Sequence, residues 1–239
     1  MPLALNDGAT YVTVDALILT ILEGKMHVLL SPRTAPPYAG QWALPGRFIG
    51  TAESAEDAVS ALIGEMTPLL SPYTEQLYTF TDVGRDPRGR VISLSYLVII
   101  PQREIGDLTR VSPLRPWRPE QTPGGIVFTS GEDRLDASAL AFDHAEIIET
   151  GLRRLRGKIE YTEIGFRFLN DVSAFTLSDL KAVYEAILGT TLDKSNFRRF
   201  ILNRFEATGQ LKPSAEEAPR KRGRPAVTYQ FTYRREDNT

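Results

Sequence analysis

The stretch QWALPGRFIGTAESAEDAVSALIGEM, Gln41 to Met66, decides how the first part of this chain is read. An apolar lead-in ends in a glycine turn at Gly46. Ser54 and Asp57 then stand three apart, the spacing at which a hydroxyl and a carboxylate cap a helix start reciprocally. Ala58, Leu62 and Ile63 give that helix an apolar face at helical spacing. Glu53, Glu56, Asp57 and Glu65 make the segment acidic, the layout of a carboxylate helix that holds Mg²⁺ against a phosphate substrate. Yet Leu62 and Met66 stand where further acids would be expected.

Outward from this segment the first half alternates strands and turns. Tyr11–Leu22 is rich in β-branched and apolar residues and predicts a buried strand. The turn Glu23-Gly24-Lys25 then makes a hairpin with Met26–Leu30. Pro32, Pro36 and Pro37 form a loop before Trp42, and Pro68 and Pro72 end the acidic helix. Glu75–Val83 and Val91–Ile100 predict strands around the turn GRDPRGR, Gly84–Arg90. Residues 103–131 are Pro-rich and irregular in pattern, with a short strand at Ile126–Thr129. Residues 136–158 predict one long amphipathic helix, with Leu140, Ile147, Ile148, Leu152 and Leu155 on its apolar side.

The second half is helical and then β. Thr176-x-x-Asp179 caps a helix through Leu188, stopped by Gly189. Asp193 caps a helix from Lys194 to about Thr208, stopped by Gly209. Phe197, Phe200, Ile201 and Phe205 fall on its core side. A polar loop follows, and Val227–Tyr233 closes as a strand. Two capped helices followed by a hairpin with a basic tip form a winged helix-turn-helix pattern.

Composition sets bounds on function. The 239 residues include no Cys, which removes disulfides, thiol catalysis and Cys-based zinc sites. The N-terminal residues lack the basic flank and apolar stretch of a signal peptide, and no apolar run approaches the ~20 residues of a membrane span. A soluble, cytoplasmic protein is expected. The net charge of −2 conceals an asymmetry: residues 1–150 carry eleven basic against nineteen acidic side chains, residues 151–239 seventeen against eleven. Opposite charge in two halves points to two modules with different partners, the basic one suited to nucleic acid.

In the basic module, Ser195, Arg199 and Asn203 face away from the helix core, with Asn196 and Arg198 flanking. The exposed N-terminal positions of such a helix reach base edges in a major groove. Arg suits guanine and Asn suits adenine there. The segment RKRGRPA, Arg220–Ala226, places four cations around Gly223 just before the last strand. Such a wing meets phosphates or enters a minor groove. The expected DNA-binding set is Lys194, Ser195, Asn196, Arg198, Arg199, Lys221, Arg222 and Arg224.

The order hairpin, PxxxGxWxLPG, acidic helix, strand, GRDPRGR and strand resembles the Nudix family, hydrolases of nucleoside diphosphates linked to another moiety, over roughly residues 11–145. Against the motif G-x5-E-x7-R-E-U-x-E-E-x-G-U (U aliphatic), Glu53, Ile63, Glu65 and Leu69 match. Arg47, Ala61, Leu62, Met66 and Pro68 replace Gly, Arg, Glu, Glu and Gly. GRDPRGR most resembles the ADP-ribose hydrolases and their relatives within the family. Acids at i, i+3 and i+4 share one helix face; here positions 62, 65 and 66 retain one acid of three. One carboxylate plus Glu53 does not readily orient a diphosphate and activate water. Hydrolysis is therefore expected to be lost or vestigial, with no catalytic residue and no bound metal. A guanidinium pairs bidentately with phosphate and can substitute for the metal. Arg47 stands at the helix entrance in that role. The ligand-binding set that the resemblance implies is Arg33, Arg47, Glu53, Glu65, Arg85, Asp86 and Arg88. His27 is expected to be structural, Trp42 to be core, and Asp143 and His144 to be capping or interface residues.

LAFDHAEII, LRRLRGKIEYTEIGFRFL, FTLSDLKAVYEAILGTTLDKSNFRRF and GRPAVTYQF extend the resemblance to nearly the whole chain. Together they resemble the Nudix-related transcriptional regulators of NAD metabolism (NrtR). The fold this implies is an α+β Nudix domain, a mixed sheet with helices, in residues 1–145, a connecting helix at 146–160, and a C-terminal winged helix-turn-helix domain in 161–239. The implied function is a homodimeric repressor that binds a palindromic operator near NAD biosynthesis or salvage genes. Its effector is ADP-ribose or a related nucleotide, and no cofactor is required. Two other functions fit the residues: an active ADP-ribose pyrophosphatase with an accessory interaction domain, and a protein-binding module whose basic wing meets an acidic partner.

Overall fold

A computed structural model describes residues 8–66, 72–214 and 227–234. Pro68 and Leu69 of the motif lie outside the described residues. So do Lys221, Arg222 and Arg224 of the basic wing.

The first half is built on β1 (Thr10–Leu22), whose run from Thr13 to Ile21 is buried throughout. A strand buried on both faces reads as a continuous apolar run rather than an alternation. It pairs in parallel with β6 (Arg90–Ile99), which pairs antiparallel with β5 (Tyr73–Phe80). On its other side follow β2 (Lys25–Pro32), β7 (Arg115–Thr122), β8 (Gly125–Ser130) and β9 (Asp133–Asp136). Two short strands attach to this path: β3 (Trp42–Ala43) on β2, and β4 (Gly46–Phe48) on β1. The result is a mixed sheet, as expected.

Helix α1 (Ala55–Met66) begins where the spacing predicts. The Asp57 amide donates to the Ser54 hydroxyl at 3.0 Å, and the Ser54 amide donates back to the Asp57 carboxylate at 3.3 Å. Ala58, Val59, Leu62 and Ile63 are buried. Each large aliphatic side chain removed from water contributes about 1.5–3 kcal/mol.

Two expectations fail in this half, each for a physical reason. Residues 103–131 are not irregular: they form α2 (Gln102–Val111), β7 and β8. Pro116 and Pro119 are tolerated because β7 changes partner between them, pairing β2 up to Trp117 and β8 from Arg118. The helix expected from 136 starts later, as α3 (His144–Lys158). Asp136 ends β9, and Leu140 bridges Trp42 instead of lying on a helix. Phe142 then adopts φ 54, a left-handed conformation that no continuing helix accepts. Past that point α3 is as predicted, burying Ile147, Ile148, Leu152 and Leu155. Gly151 permits close packing on β1, since a Cβ there would lie 2.0 Å from Leu17 Cδ2.

The chain divides into two compact units, one including Met26–Arg154 and the other taking Ile21–Lys25 together with the residues from Leu155 on, so that the division falls within α3. In the second, α4 (Leu177–Leu188) carries the predicted capping box, formed reciprocally by Thr176 and Asp179, and ends at Gly189. Helix α5 (Lys194–Ile201) is capped by Asp193, whose carboxylate accepts from the Asn196 amide at 2.8 Å. It is shorter than expected: residues 202–206 continue with a wider, π-type turn. β10 (Phe175–Thr176), β12 (Thr228–Phe231) and β11 (Leu211–Pro213) form a three-stranded antiparallel sheet in that order. Phe166, Phe205 and Phe231 pack as an aromatic centre, with Phe166 and Phe231 stacked at 3.7 Å. Phe200, expected in this core, is instead 37% exposed. Among the described residues no helix is long and apolar enough to cross a membrane.

Candidate functional site

Five separate pieces of the first unit converge on a cavity of about 230 Å³. Arg33 comes from the end of β2, Arg47 and Phe48 from β4, and Arg85, Asp86 and Arg88 from the β5–β6 turn. Phe142 and His144 come from the start of α3, and Thr13 and Asp15 from β1. Five residues of the expected ligand-binding set are thus brought together. Glu53 stands behind them, pairing with Arg47 at 3.2 Å and accepting from the Gly50 amide at 2.6 Å. Glu65 is exposed on α1 and lines neither this cavity nor its neighbour.

Each guanidinium is held. Arg85 is almost wholly buried and pairs bidentately with Asp143, at 2.8 Å and 2.7 Å. It also lies 3.6 Å from Asp15. Arg88 pairs bidentately with Asp86, at 3.0 Å and 2.7 Å. Burial opposes ionisation of Asp86, yet the hydrogen bonds from Arg88 hold its carboxyl below the usual range. Arg33 donates to the carbonyls of Pro37 and Ala35 at 2.8 Å and 3.3 Å. Burial, and then the like charge of Arg88, lower its pKa. The Phe142 ring lies between Arg33 at 4.6 Å and Arg88 at 5.6 Å. A non-glycine residue at positive φ stores strain, which tends to persist where a site needs a side chain aimed. The cavity wall carries four guanidiniums and the carboxylates of Asp15 and Asp86, with Glu53 and Asp143 behind Arg47 and Arg85. The charges are therefore locally balanced, and it is the Arg33 guanidinium that no carboxylate pairs among the described residues.

His144 is buried, and its Nδ1 accepts from the Leu44 amide at 2.9 Å. Burial lowers its pKa, with Asp15 and Asp143 pulling the other way. It is thus neither an interface residue nor a mere cap, and Asp143 is the anchor of Arg85. Sequence reasoning missed Thr13, Asp15, Phe48, Phe142 and His144. Asp15 was the visible signal: a carboxylate within an apolar strand requires partners.

A second cavity of about 360 Å³ adjoins the first through Arg33, Leu44 and Gly46. Leu62, Met66, Pro45 and Leu114 line it, so the α1 face that carries acids in the motif is apolar here. Among the described residues no three His, Asp or Glu side chains gather as a metal site requires.

In the second unit, Lys194, Ser195, Asn196, Arg198 and Arg199 are all exposed on α5 while Phe197 and Ile201 are buried. Arg199 donates to the Asn196 side chain at 3.1 Å. Lys194 and Arg198 line a cavity of about 210 Å³ with Thr176, Lys181 and Tyr229.

Comparison with known proteins adds to this geometry. Residues 165–231 match the model of the NrtR DNA-binding winged helix domain. The chain is 30% identical to the ADPR responsive transcriptional repressor NtrR of Acinetobacter baylyi, over 92% of this chain and 81% of that protein. It is 31% identical to an ADP-ribose pyrophosphatase of Methanocaldococcus jannaschii, over 57% of this chain and 72% of that protein. Among solved structures it resembles Shewanella oneidensis NrtR complexed with a 27mer DNA, with a TM-score of 0.74 and 30% identity, covering 92% of this chain and 93% of that one. The expected fold, a Nudix-like mixed sheet with helices followed by a winged helix, is thereby shown.

Proposed function

This chain belongs to the NrtR family, and from that membership we propose that it is a DNA-binding transcriptional repressor of NAD biosynthesis or salvage genes, with ADP-ribose as effector. Residues 161–239 bind a palindromic operator as one half of a homodimer, with α5 in the major groove and the wing on the backbone. Residues 1–145 sense the ligand. The observation that carries this reading is the gathering of Arg33, Arg47, Arg85 and Arg88 around one cavity, a ready site for a diphosphate. The connecting helix, 146–160, carries the response: α3 starts at the cavity with His144 and runs without a break to Lys158. ADP-ribose must bind the DNA-incompetent arrangement better than the competent one, since a ligand of equal affinity shifts nothing. The test is operator retardation with and without ADP-ribose. Release of DNA is expected. Unchanged binding at about 1 mM ligand, far above an assumed ~μM affinity, would refute the sensing role.

The similarity to an ADP-ribose pyrophosphatase favours one second reading, hydrolysis. Nudix hydrolysis uses Mg²⁺, and the residues present do not fit that ion. Leu62 and Met66 make the motif face apolar, Glu65 points to solvent, and Glu53 is spent on Arg47 and Gly50. Mg²⁺ takes carboxylate and water oxygens in near-octahedral array, which this face does not supply. We take the Nudix box as degenerate. AMP formation from ADP-ribose with Mg²⁺ or Mn²⁺, abolished by Glu65→Gln, would restore the enzyme reading.

A further inference from the structure

The floor of the charged cavity holds two groups that a diphosphate does not use. Asp15 lies in β1 opposite Gly46 of β4, more than nine-tenths buried in its side chain. Its Oδ2 is fully engaged: it accepts from the Ser93 hydroxyl at 2.5 Å and the Thr13 hydroxyl at 3.3 Å, and lies 3.6 Å from Arg85 Nη2. Its Oδ1 accepts no hydrogen bond among the described residues. That oxygen stands 3.8 Å from His144 Nε2, beyond hydrogen-bond length.

The proton on His144 can be assigned. Nδ1 accepts the Leu44 amide, so the neutral ring carries its hydrogen on Nε2, facing Asp15. The cavity floor therefore presents one N–H donor and one carboxylate acceptor, separated by a gap that neither closes. A phosphate oxygen would satisfy the donor but meet the Asp15 charge. A hydroxyl satisfies both, accepting from Nε2–H and donating to Oδ1. Gly46 keeps Oδ1 within reach, because a Cβ at that position would sit 2.2 Å from it.

We propose that Asp15 and His144 form a hydroxyl-reading pair, which takes one ribose hydroxyl of a nucleoside-diphosphate sugar whose phosphates face Arg33, Arg47 and Arg88. This rests on the cavity being the ADP-ribose site and adds what makes it prefer a sugar over a bare diphosphate. An unpaired donor and acceptor discriminate sharply, since a ligand lacking the hydroxyl leaves both unsatisfied on binding.

The experiment is titration calorimetry of the full chain with ADP-ribose, with analogues lacking one ribose hydroxyl at a time, and with inorganic pyrophosphate. On the unmodified protein, one analogue loses about tenfold in affinity. His144→Asn retains an acceptor for the Leu44 amide and removes the Nε2–H donor. It should bind ADP-ribose about tenfold more weakly, leave pyrophosphate within about twofold, and show no further loss with the sensitive analogue. Equal weakening of both ligands assigns His144 a purely structural role and overturns the proposal, as does an analogue series with no sensitive hydroxyl. That series needs no variant, so it decides the matter even if His144→Asn does not fold. Absence of ADP-ribose binding by the unmodified protein is a separate result, which defeats the reading of the cavity itself.

Discussion

The two charged surfaces of this chain are built in opposite ways. Around the cavity every guanidinium is already engaged: Arg85 by Asp143, Arg88 by Asp86, Arg47 by Glu53, and Arg33 by two carbonyls. On α5 the side chains of Lys194, Ser195, Asn196, Arg198 and Arg199 stand out in solvent. The contrast follows from the targets. A small anion must be met by groups that are already oriented, since each freed rotamer costs affinity. A nucleic-acid groove is wide and salt-screened, and long mobile cations follow its phosphates while releasing counterions. The first design ties charge to folding, and the second leaves charge free of it.

That contrast yields its largest effect at Arg85. Replacing it by Ala strands Asp143, and Asp15 beyond it, without their buried cation. A loss of about 3–5 kcal/mol in unfolding free energy is expected, read by urea denaturation. Arg199→Ala should stay within about 0.5 kcal/mol in the same experiment. Equal stability losses at the two positions would break the comparison. For operator binding the order reverses. Arg199→Ala should weaken operator affinity by about 1–3 kcal/mol with relaxed specificity at one base pair, measured by competition between operator variants. Unaltered discrimination would remove α5 from base recognition.

The same contrast explains what was legible in the sequence. The exposed helix is a local object: Asp193 as cap, Phe197 and Ile201 as core and the polar face between them follow from spacing within a few residues. The capping boxes at Ser54/Asp57 and Thr176/Asp179 were legible for the same reason. The cavity is assembled from residues up to 131 positions apart, Thr13 to His144, and no period links them. Its arginines were found through resemblance to a family, and its floor was not found at all. Asp143 and His144 are sequence neighbours that engage different partners, Arg85 and the Leu44 amide. Phe142 shows a further limit. The spacing of Leu140, Ile147 and Ile148 favoured one helix through 136–158, whereas Phe142 between them is held at positive φ beside Arg33 and Arg88. Phe200 erred the other way: spacing placed it on the core side, but within α5 it falls at the edge of the face that buries Phe197 and Ile201 and stays 37% exposed.

The smallest expected effect concerns pH, and it sharpens the comparison at the cavity alone. His144 is buried and neutral, faced by Asp15, Asp143, Arg85 and Arg33, and burial holds its pKa below the usual 6.5. The unfolded chain therefore binds a proton on this ring before the folded chain does. Stability contributed by the neutral ring is complete well above pH 6.5 and is lost as pH falls from there toward the lowered folded value. At pH 6.5 half of the unfolded-state rings are charged, which costs about 0.4 kcal/mol, and the loss grows below that. His144→Asn should flatten this part of a melting-temperature profile between pH 7.5 and 5.5. An Arg199→Ala profile should parallel that of the unmodified chain, because no charge on α5 is tied to the folded core. If His144→Asn also keeps the parent slope, the titrating group lies elsewhere and folding does not disfavour the charged imidazole.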